Sequence, residues 1–145
     1  MNRHDRIAGV LLGTAVGDAL GLPREGLSAR RAARLHPGPV RHAFAFGRGA
    51  ISDDTEHASL TAQALLAAGD DPQAFRRSLA RRLRWWLLGA PPAIGWGTLR
   101  SLMLSWFGLP AVRSAGNGAA MRSSIIGACV DDLQLALRLT DASTS

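Results

Sequence analysis

The chain has 145 residues, the size of one domain, and 47% of them are hydrophobic while only 19% are charged. This composition excludes a disordered chain, because disordered segments lack the apolar surface that offsets the entropy lost on folding. The net charge of +6 rests on arginine alone, since no lysine occurs. Abundant arginine, alanine and glycine are typical of a GC-rich coding bias, so the basic pI does not indicate nucleic-acid binding, and we expect no such partner.

The first predicted element is a helix that ends at Gly21 and Pro23. Its uncharged part, Ile7 to Gly17, is too short to span a bilayer, so we expect a buried helix, a cytoplasmic protein and no membrane partner. Asp18 falls where apolar residues point, so it must be hydrogen-bonded or paired, either as a cap for a neighbouring loop or with a direct role in a site. The face it shares comprises Ile7, Val10, Leu11, Thr14, Ala15 and Asp18.

Residues 24–50 form a long connection with a short helix predicted at Ser28 to Leu35, and connections of this length are often functional. A second helix is predicted from about Asp54 to Ala68. Two interpretations of its start stay open. Asp53 and Glu56 match a capping box, whereas the paired carboxylates of Asp53 and Asp54 match ligands of a hard divalent cation, which would relieve their repulsion.

The remaining elements are also helical. Asp71 and Pro72 begin an arginine-rich helix that closes near residue 90, and Asp131 or Asp132 caps the last predicted helix, Leu133 to Leu139. Further helices are predicted over residues 98–107 and 119–130. No segment alternates with period two, so the sequence predicts an all-α domain. The apolar stripe of the arginine-rich helix is Phe75, Leu79, Leu83, Trp86 and Leu87.

Two glycine loops, Gly95-Trp96-Gly97 and Ser114 to Gly118, each precede a predicted helix. Backbone N–H groups in such loops can bind phosphates with the help of the helix dipole, although an ordinary turn has the same composition. His57 lies one turn beyond Asp53, and because a hard cation prefers oxygen ligands we interpret it as structural.

In order along the chain, these segments resemble the ADP-ribosylglycohydrolase family, which includes the dinitrogenase-reductase-activating glycohydrolase and the ADP-ribosyl-arginine hydrolases. The resemblance is specific because it covers nearly the whole chain. It rests on Gly17-Asp18-Ala19-Leu20-Gly21 with Glu25, on Ser52-Asp53-Asp54-Thr55, on Gly95-Trp96-Gly97-Thr98, and on Gly116-Asn117-Gly118-Ala119-Ala120-Met121-Arg122.

The resemblance implies an orthogonal multi-helix bundle whose cleft holds two Mg²⁺ or Mn²⁺ ions. It implies a hydrolase that cleaves the glycosidic bond between ADP-ribose and a protein side chain, with an ADP-ribosylated protein or an ADP-ribose derivative as partner. The implied metal ligands are Ser52, Asp53 and Asp54, and the implied catalytic carboxylates are Glu25, Asp53 and Asp54. The residues implied for diphosphate and ribose binding are Gly95, Gly97, Ser114, Gly116 and Asn117.

One departure from the family concerns the second group of metal ligands, an Asp-x-Asp-Thr type motif that nothing after Met121-Arg122 matches. Family members are also about twice as long. We therefore expect residues 1–145 to be the N-terminal portion of such a domain, a fragment carrying half of the metal site. The alternative function is a catalytically inactive helical module that binds ADP-ribose or a nucleotide.

Overall fold

The computed structural model describes residues 2–89, 99–100, 103–104, 106–107 and 118–144. Regular structure in these ranges is entirely helical, which confirms the predicted all-α fold. The predicted glycine loops at 95–97 and 114–117 lie outside the described residues. Of the helix predicted over 98–107, residues 98, 101, 102 and 105 also lie outside them, and the described residues 99–100, 103–104 and 106 are helical. The α-helices are α1 (Arg3–Gly21), α2 (Ala29–Leu35), α3 (Asp53–Ala68), α4 (Pro72–Leu88), α5 (Gly118–Cys129) and α6 (Leu133–Thr144).

Local capping sets where several helices begin. The Asp71 side chain accepts a hydrogen bond from Gln73 N at 2.8 Å ahead of Pro72, as the sequence predicts. At the start of α6, Asp132 is the capping residue, because its Oδ1 accepts from Gln134 N at 2.8 Å. The sequence allowed Asp131 or Asp132 as the cap of this helix, and the structure identifies Asp132.

The third helix is central to the fold, because α3 contacts α1, α4 and α5. The apolar stripe predicted for α4 is confirmed, since Phe75, Leu79 and Leu83 are buried. Burial of this stripe supplies the main driving force for packing α4 against α3 and α6. The core cluster comprises Ala64, Leu65, Phe75, Leu79, Leu83, Ile126 and Leu139.

The first helix is not buried along its length as predicted, because only Asp18 and Ala19 are buried and Leu12 is 67% exposed. Its N-terminal end is held to the end of α5 by Arg3 Nη2, which donates to the Cys129 carbonyl at 2.6 Å. The helical stretch Arg3–Arg24 is 22 residues long and contains an 18-residue window of mean hydropathy 1.2, so it meets the length and hydropathy required to cross a membrane. Core helices and signal sequences meet the same criteria, so this helix is only weak support for a membrane span.

The loop before α3 packs closely on α1 at Gly49. This residue has φ +88°, and a Cβ atom there would lie 2.6 Å from His42 Nδ1 and 3.2 Å from the Cβ of Ala19. Only glycine fits without displacement of a neighbour. The loop therefore passes against the one buried segment of α1 just before it reaches the start of α3.

Candidate functional site

The N-terminus of α3 is capped by Asp18, a side chain from another helix. Asp18 Oδ2 accepts from Ser52 N at 2.8 Å, from Thr55 N at 3.2 Å and from Thr55 Oγ1 at 2.5 Å. Asp18 Oδ1 accepts from Ser52 Oγ at 2.7 Å. Two of the N–H groups that a helix start leaves without partners are satisfied in this way. The structure thus supports the capping role among the two that the sequence left open for Asp18.

The protonation of Asp18 follows from these contacts. Burial by itself would raise the pKa of this carboxyl, but the hydrogen bonds from Thr55 and Ser52 outweigh burial and lower the pKa below 3.8. Asp18 is therefore an anion at neutral pH. Because the Ser52 hydroxyl donates a hydrogen bond to Asp18, the lone pairs of Ser52 Oγ remain available to a cation.

The capping box predicted from Asp53 and Glu56 is wrong. Ser52, rather than Asp53, occupies the N-cap position, and its own side chain makes no capping hydrogen bond. Glu56 instead reaches α4, where its Oε2 accepts from Trp86 Nε1 at 2.6 Å. The cap comes from Asp18 in α1, so Asp53 does not cap this helix.

Asp53 is 6% exposed and lies among other carboxylates. Burial, followed by the negative charges of Asp54, Glu25 and Asp18, raises its pKa to about 6. The negative charges of Asp54, Glu25 and Asp18 thus each act on the carboxylate of Asp53. We call these four residues the carboxylate cluster.

The donors of the cluster suit a hard divalent cation, which prefers carboxylate and hydroxyl oxygens and would offset their repulsion. Asp53 is buried and Asp54 is half-buried at the first turn of α3, directly after Ser52. In the part of the chain that the structure describes, no group of three or more His, Cys, Asp and Glu side chains is arranged to hold a metal ion. A complete coordination shell would need oxygens beyond those of Ser52, Asp53 and Asp54.

A second buried polar group lies behind the first turn of α3. His57 is fully buried, and its Nδ1 accepts from Arg122 Nη1 at 3.3 Å, while Arg122 Nη2 donates to the Ser143 carbonyl at 2.9 Å. The edge of the His57 ring packs against Trp86 with 4.5 Å between ring centroids. Burial and then the charge of Arg122 lower the pKa of His57 to about 4, so the imidazole is neutral. This confirms the structural interpretation of His57.

The structure describes only some of the predicted site residues. It brings Asp53 and Asp54 together, and Glu25 is exposed at the margin of the cluster, near enough to raise the pKa of Asp53. The predicted substrate-binding residues Gly95, Gly97, Ser114, Gly116 and Asn117 lie outside the described residues.

Sequence reasoning assigned no specific contact to Trp86 or Arg122. Trp86 binds Glu56, and Arg122 binds His57. An arginine within an apolar run that is predicted to be buried signals such a polar contact, because a buried cation needs partners.

Known proteins resemble this chain over most of its length. The sequence model of the ADP-ribosylglycohydrolase family matches residues 1–145. An uncharacterized protein of Archaeoglobus fulgidus is 33% identical over 134 residues, an alignment that covers 86% of this chain and 43% of that relative. The chain thus spans less than half the length of the curated relative it matches.

The cap from Asp18 should be sensitive to the loss of one acceptor. In Asp18→Asn the amide group would face hydrogen-bond donors, so we expect the free energy of unfolding in urea to fall by about 2 kcal/mol. Asp132→Asn is the matched control, because Asp132 is an exposed cap and asparagine caps equally well; its cost should stay below about 0.5 kcal/mol. Equal losses in both variants would contradict the buried cap.

Asp53→Asn should stabilise the protein in metal-free buffer at pH 7. Because the folded-state pKa of Asp53 is raised from 3.8 to about 6, its ionisation opposes folding as the pH rises through this interval. Water around the exposed neighbours screens part of the repulsion, so the expected gain in unfolding free energy is about 1 kcal/mol. The gain should vanish below pH 4 in urea titrations. A loss of stability at pH 7 would show that Asp53 makes contacts that outweigh repulsion.

His57 should impose the opposite pH dependence. Its folded-state pKa is lowered from 6.5 to about 4, so the unfolded chain takes up the proton first and stability falls as the pH drops from 6.5 to 4. The effect is best measured in the Asp53→Asn background, where we expect a loss of up to about 3 kcal/mol. Adding His57→Gln should abolish this slope, and a slope that survives the substitution would assign it to another group.

Proposed function

The chain belongs to the ADP-ribosylglycohydrolase family, and on that premise we propose that it hydrolyses the glycosidic bond between ADP-ribose and a modified protein side chain in a reaction that depends on Mg²⁺ or Mn²⁺. The observation that carries the proposal is the buried carboxylate of Asp53, held beside three further carboxylates at a helix start. Such an arrangement costs stability, and a cation offsets that cost.

The residues that would hold the ion are Ser52, Asp53 and Asp54, and two ions are expected as in the family. When bound, the ion supplies electrostatic stabilisation to the ribose hydroxyls and lowers the pKa of a water. The other contributions come from the chain. Asp18 holds the first turn of α3 through four hydrogen bonds, so the ligand oxygens keep a defined direction.

Cleavage at the anomeric carbon builds oxocarbenium character, which nearby carboxylates stabilise. Glu25 is exposed at the margin of the cluster, so it can reach a bound substrate while Asp53 stays buried. We assign the proton transfer to Glu25 or to one of the two aspartates, Asp53 and Asp54. The ADP-ribosylated protein, or a derivative of ADP-ribose, is the proposed partner.

A second candidate function is binding of ADP-ribose or a nucleotide without cleavage. The observation that favours it is that the described residues contain no group of three or more His, Cys, Asp and Glu side chains arranged around a metal position. Calorimetric titration with Mg²⁺ and ADP-ribose separates the two: heat without release of ADP-ribose from a modified protein favours the binding module, whereas release favours the hydrolase.

Asp53→Asn should abolish metal-dependent release of ADP-ribose from a modified protein, with a loss of at least about 100-fold. The readout is free ADP-ribose formed with Mg²⁺ or Mn²⁺, compared with the same reaction in chelator. Asp70→Asn is the matched control, because Asp70 is an exposed aspartate just after the other end of α3. Retained activity in Asp53→Asn, or equal loss in both variants, would overturn the assignment of the ligands.

A further inference from the structure

An open groove on the α3 and α4 pair encloses about 360 Å³. It is lined by Leu60 of α3 and by Arg81, Arg82, Trp85 and Trp86 of α4. Trp85 is 67% exposed, whereas Trp86 is half-buried. Leucine and two indoles provide apolar surface, and two guanidinium groups provide positive charge. We call this feature the Trp-Arg groove.

The polar groups of the Trp-Arg groove are donors. Arg82 Nη1 donates to the neutral Gln63 Oε1 at 2.8 Å, and its buried Nε has no hydrogen-bond partner among the described residues. The Trp86 Nε1 is already used, since it donates to Glu56 Oε2. Among the described residues that line the groove none is a carboxylate, so none of these lining residues neutralises Arg81 or Arg82. A ligand that presents acceptors and negative charge fits this surface.

The groove lies beside the carboxylate cluster. Leu60 follows Asp53 by seven residues on α3, which corresponds to about 10 Å along the helix axis at 1.5 Å per residue. The hydrogen bond from Trp86 to Glu56 fixes the groove to the first turns of α3. A protein that presents a modified side chain to the cluster is large enough to cover this distance.

We propose that the Trp-Arg groove is an exosite that binds an acidic segment of the ADP-ribosylated substrate protein. This inference rests on the proposed function. Carboxylates of the segment pair with Arg81 and Arg82, and an apolar or aromatic side chain packs on the exposed indole of Trp85. The groove thereby selects substrate proteins with acidic residues near the modified site.

The chemistry of the lining favours an acidic peptide over a nucleotide. Nucleobase edges carry donors as well as acceptors, and the described side chains that line the groove offer no acceptor to pair with those donors. A carboxylate has only acceptors when ionised, and a guanidinium binds it with two parallel hydrogen bonds. Aromatic and arginine side chains are also the residues enriched in protein interfaces.

The test measures binding without turnover, in chelator, so that it stays independent of the hydrolase activity. A short fluorescein-labelled peptide of glutamates around one phenylalanine is titrated with the full chain, and fluorescence anisotropy is recorded. The matched peptide has glutamine in place of glutamate. We expect saturable binding of the acidic peptide only, which weakens as salt is raised.

Variants locate the binding surface. Arg81→Glu should weaken peptide binding about tenfold and Trp85→Ala about fivefold, because both side chains are exposed and their replacement leaves the core intact. Arg76→Glu carries the same charge change on another face of α4, is exposed, and should alter binding less than twofold. Unchanged melting temperatures confirm that the variants fold.

Three results would overturn the exosite: no saturable binding of the acidic peptide, equal binding of the glutamine peptide, or equal weakening by Arg76→Glu and Arg81→Glu. Displacement of the peptide by ADP in wild type would also overturn it in favour of a nucleotide site. Where ADP-ribose release is measurable, Arg81→Glu should lower kcat/KM for an acidic modified protein about tenfold and leave cleavage of ADP-ribosyl-arginine unchanged. If the peptide binds but no ADP-ribose is released from a modified protein, the groove is still a peptide-binding site and only the proposed hydrolase activity is rejected.

Discussion

The hydrogen bonds that Asp18 accepts from the start of α3 are the interaction on which the candidate site depends. A helix begins with unpaired N–H groups, and here a buried carboxylate from α1 satisfies two of them together with the hydroxyls of Ser52 and Thr55. The capping of α3 therefore does not depend on Asp53. The negative charge of Asp18 also adds to the repulsion on Asp53. The side chain that orders the first turn of α3 therefore also increases the stabilisation that a bound cation would give.

A second polar contact holds α3 from behind. Arg122 of α5 binds the buried imidazole of His57 and the carbonyl of Ser143 in α6, so one side chain ties three helices together. The guanidinium is buried, and this burial lowers the pKa of Arg122 to about 10, which leaves it charged at neutral pH. Its partners among the described residues are neutral groups, and a buried cation with neutral partners stabilises little by itself. Its value lies in fixing the position of α3 relative to α5, the helix that follows the second glycine loop of the sequence.

The sequence predicted the helices and their apolar faces because these follow from local spacing. Phe75, Leu79 and Leu83 recur with helical period and are buried, and the aspartate just before Pro72 begins α4. Contacts between segments that are distant in the chain were harder to predict from the sequence. Asp53 and Glu56 match a capping box by spacing alone, but the helix start is capped by Asp18, which lies 34 residues before Ser52 in the chain and accepts from Ser52 N and Thr55 N. Exposure of α1 was missed for a similar reason, since periodicity identifies a face without showing how much of it a neighbour covers.

Charge is divided along α3 in a way that bears on the proposed chemistry. The carboxylate cluster is at its N-terminus, and the arginines of the Trp-Arg groove lie further along, with Glu56 and Trp86 between them. ADP-ribose carries a diphosphate, which four carboxylates would repel at short range. The helix dipole offsets only a fraction of one charge, too little to reverse the sign of the field there. Binding of an anionic substrate at this turn therefore requires added positive charge, and a divalent cation held by Ser52, Asp53 and Asp54 would supply it where the charge is needed.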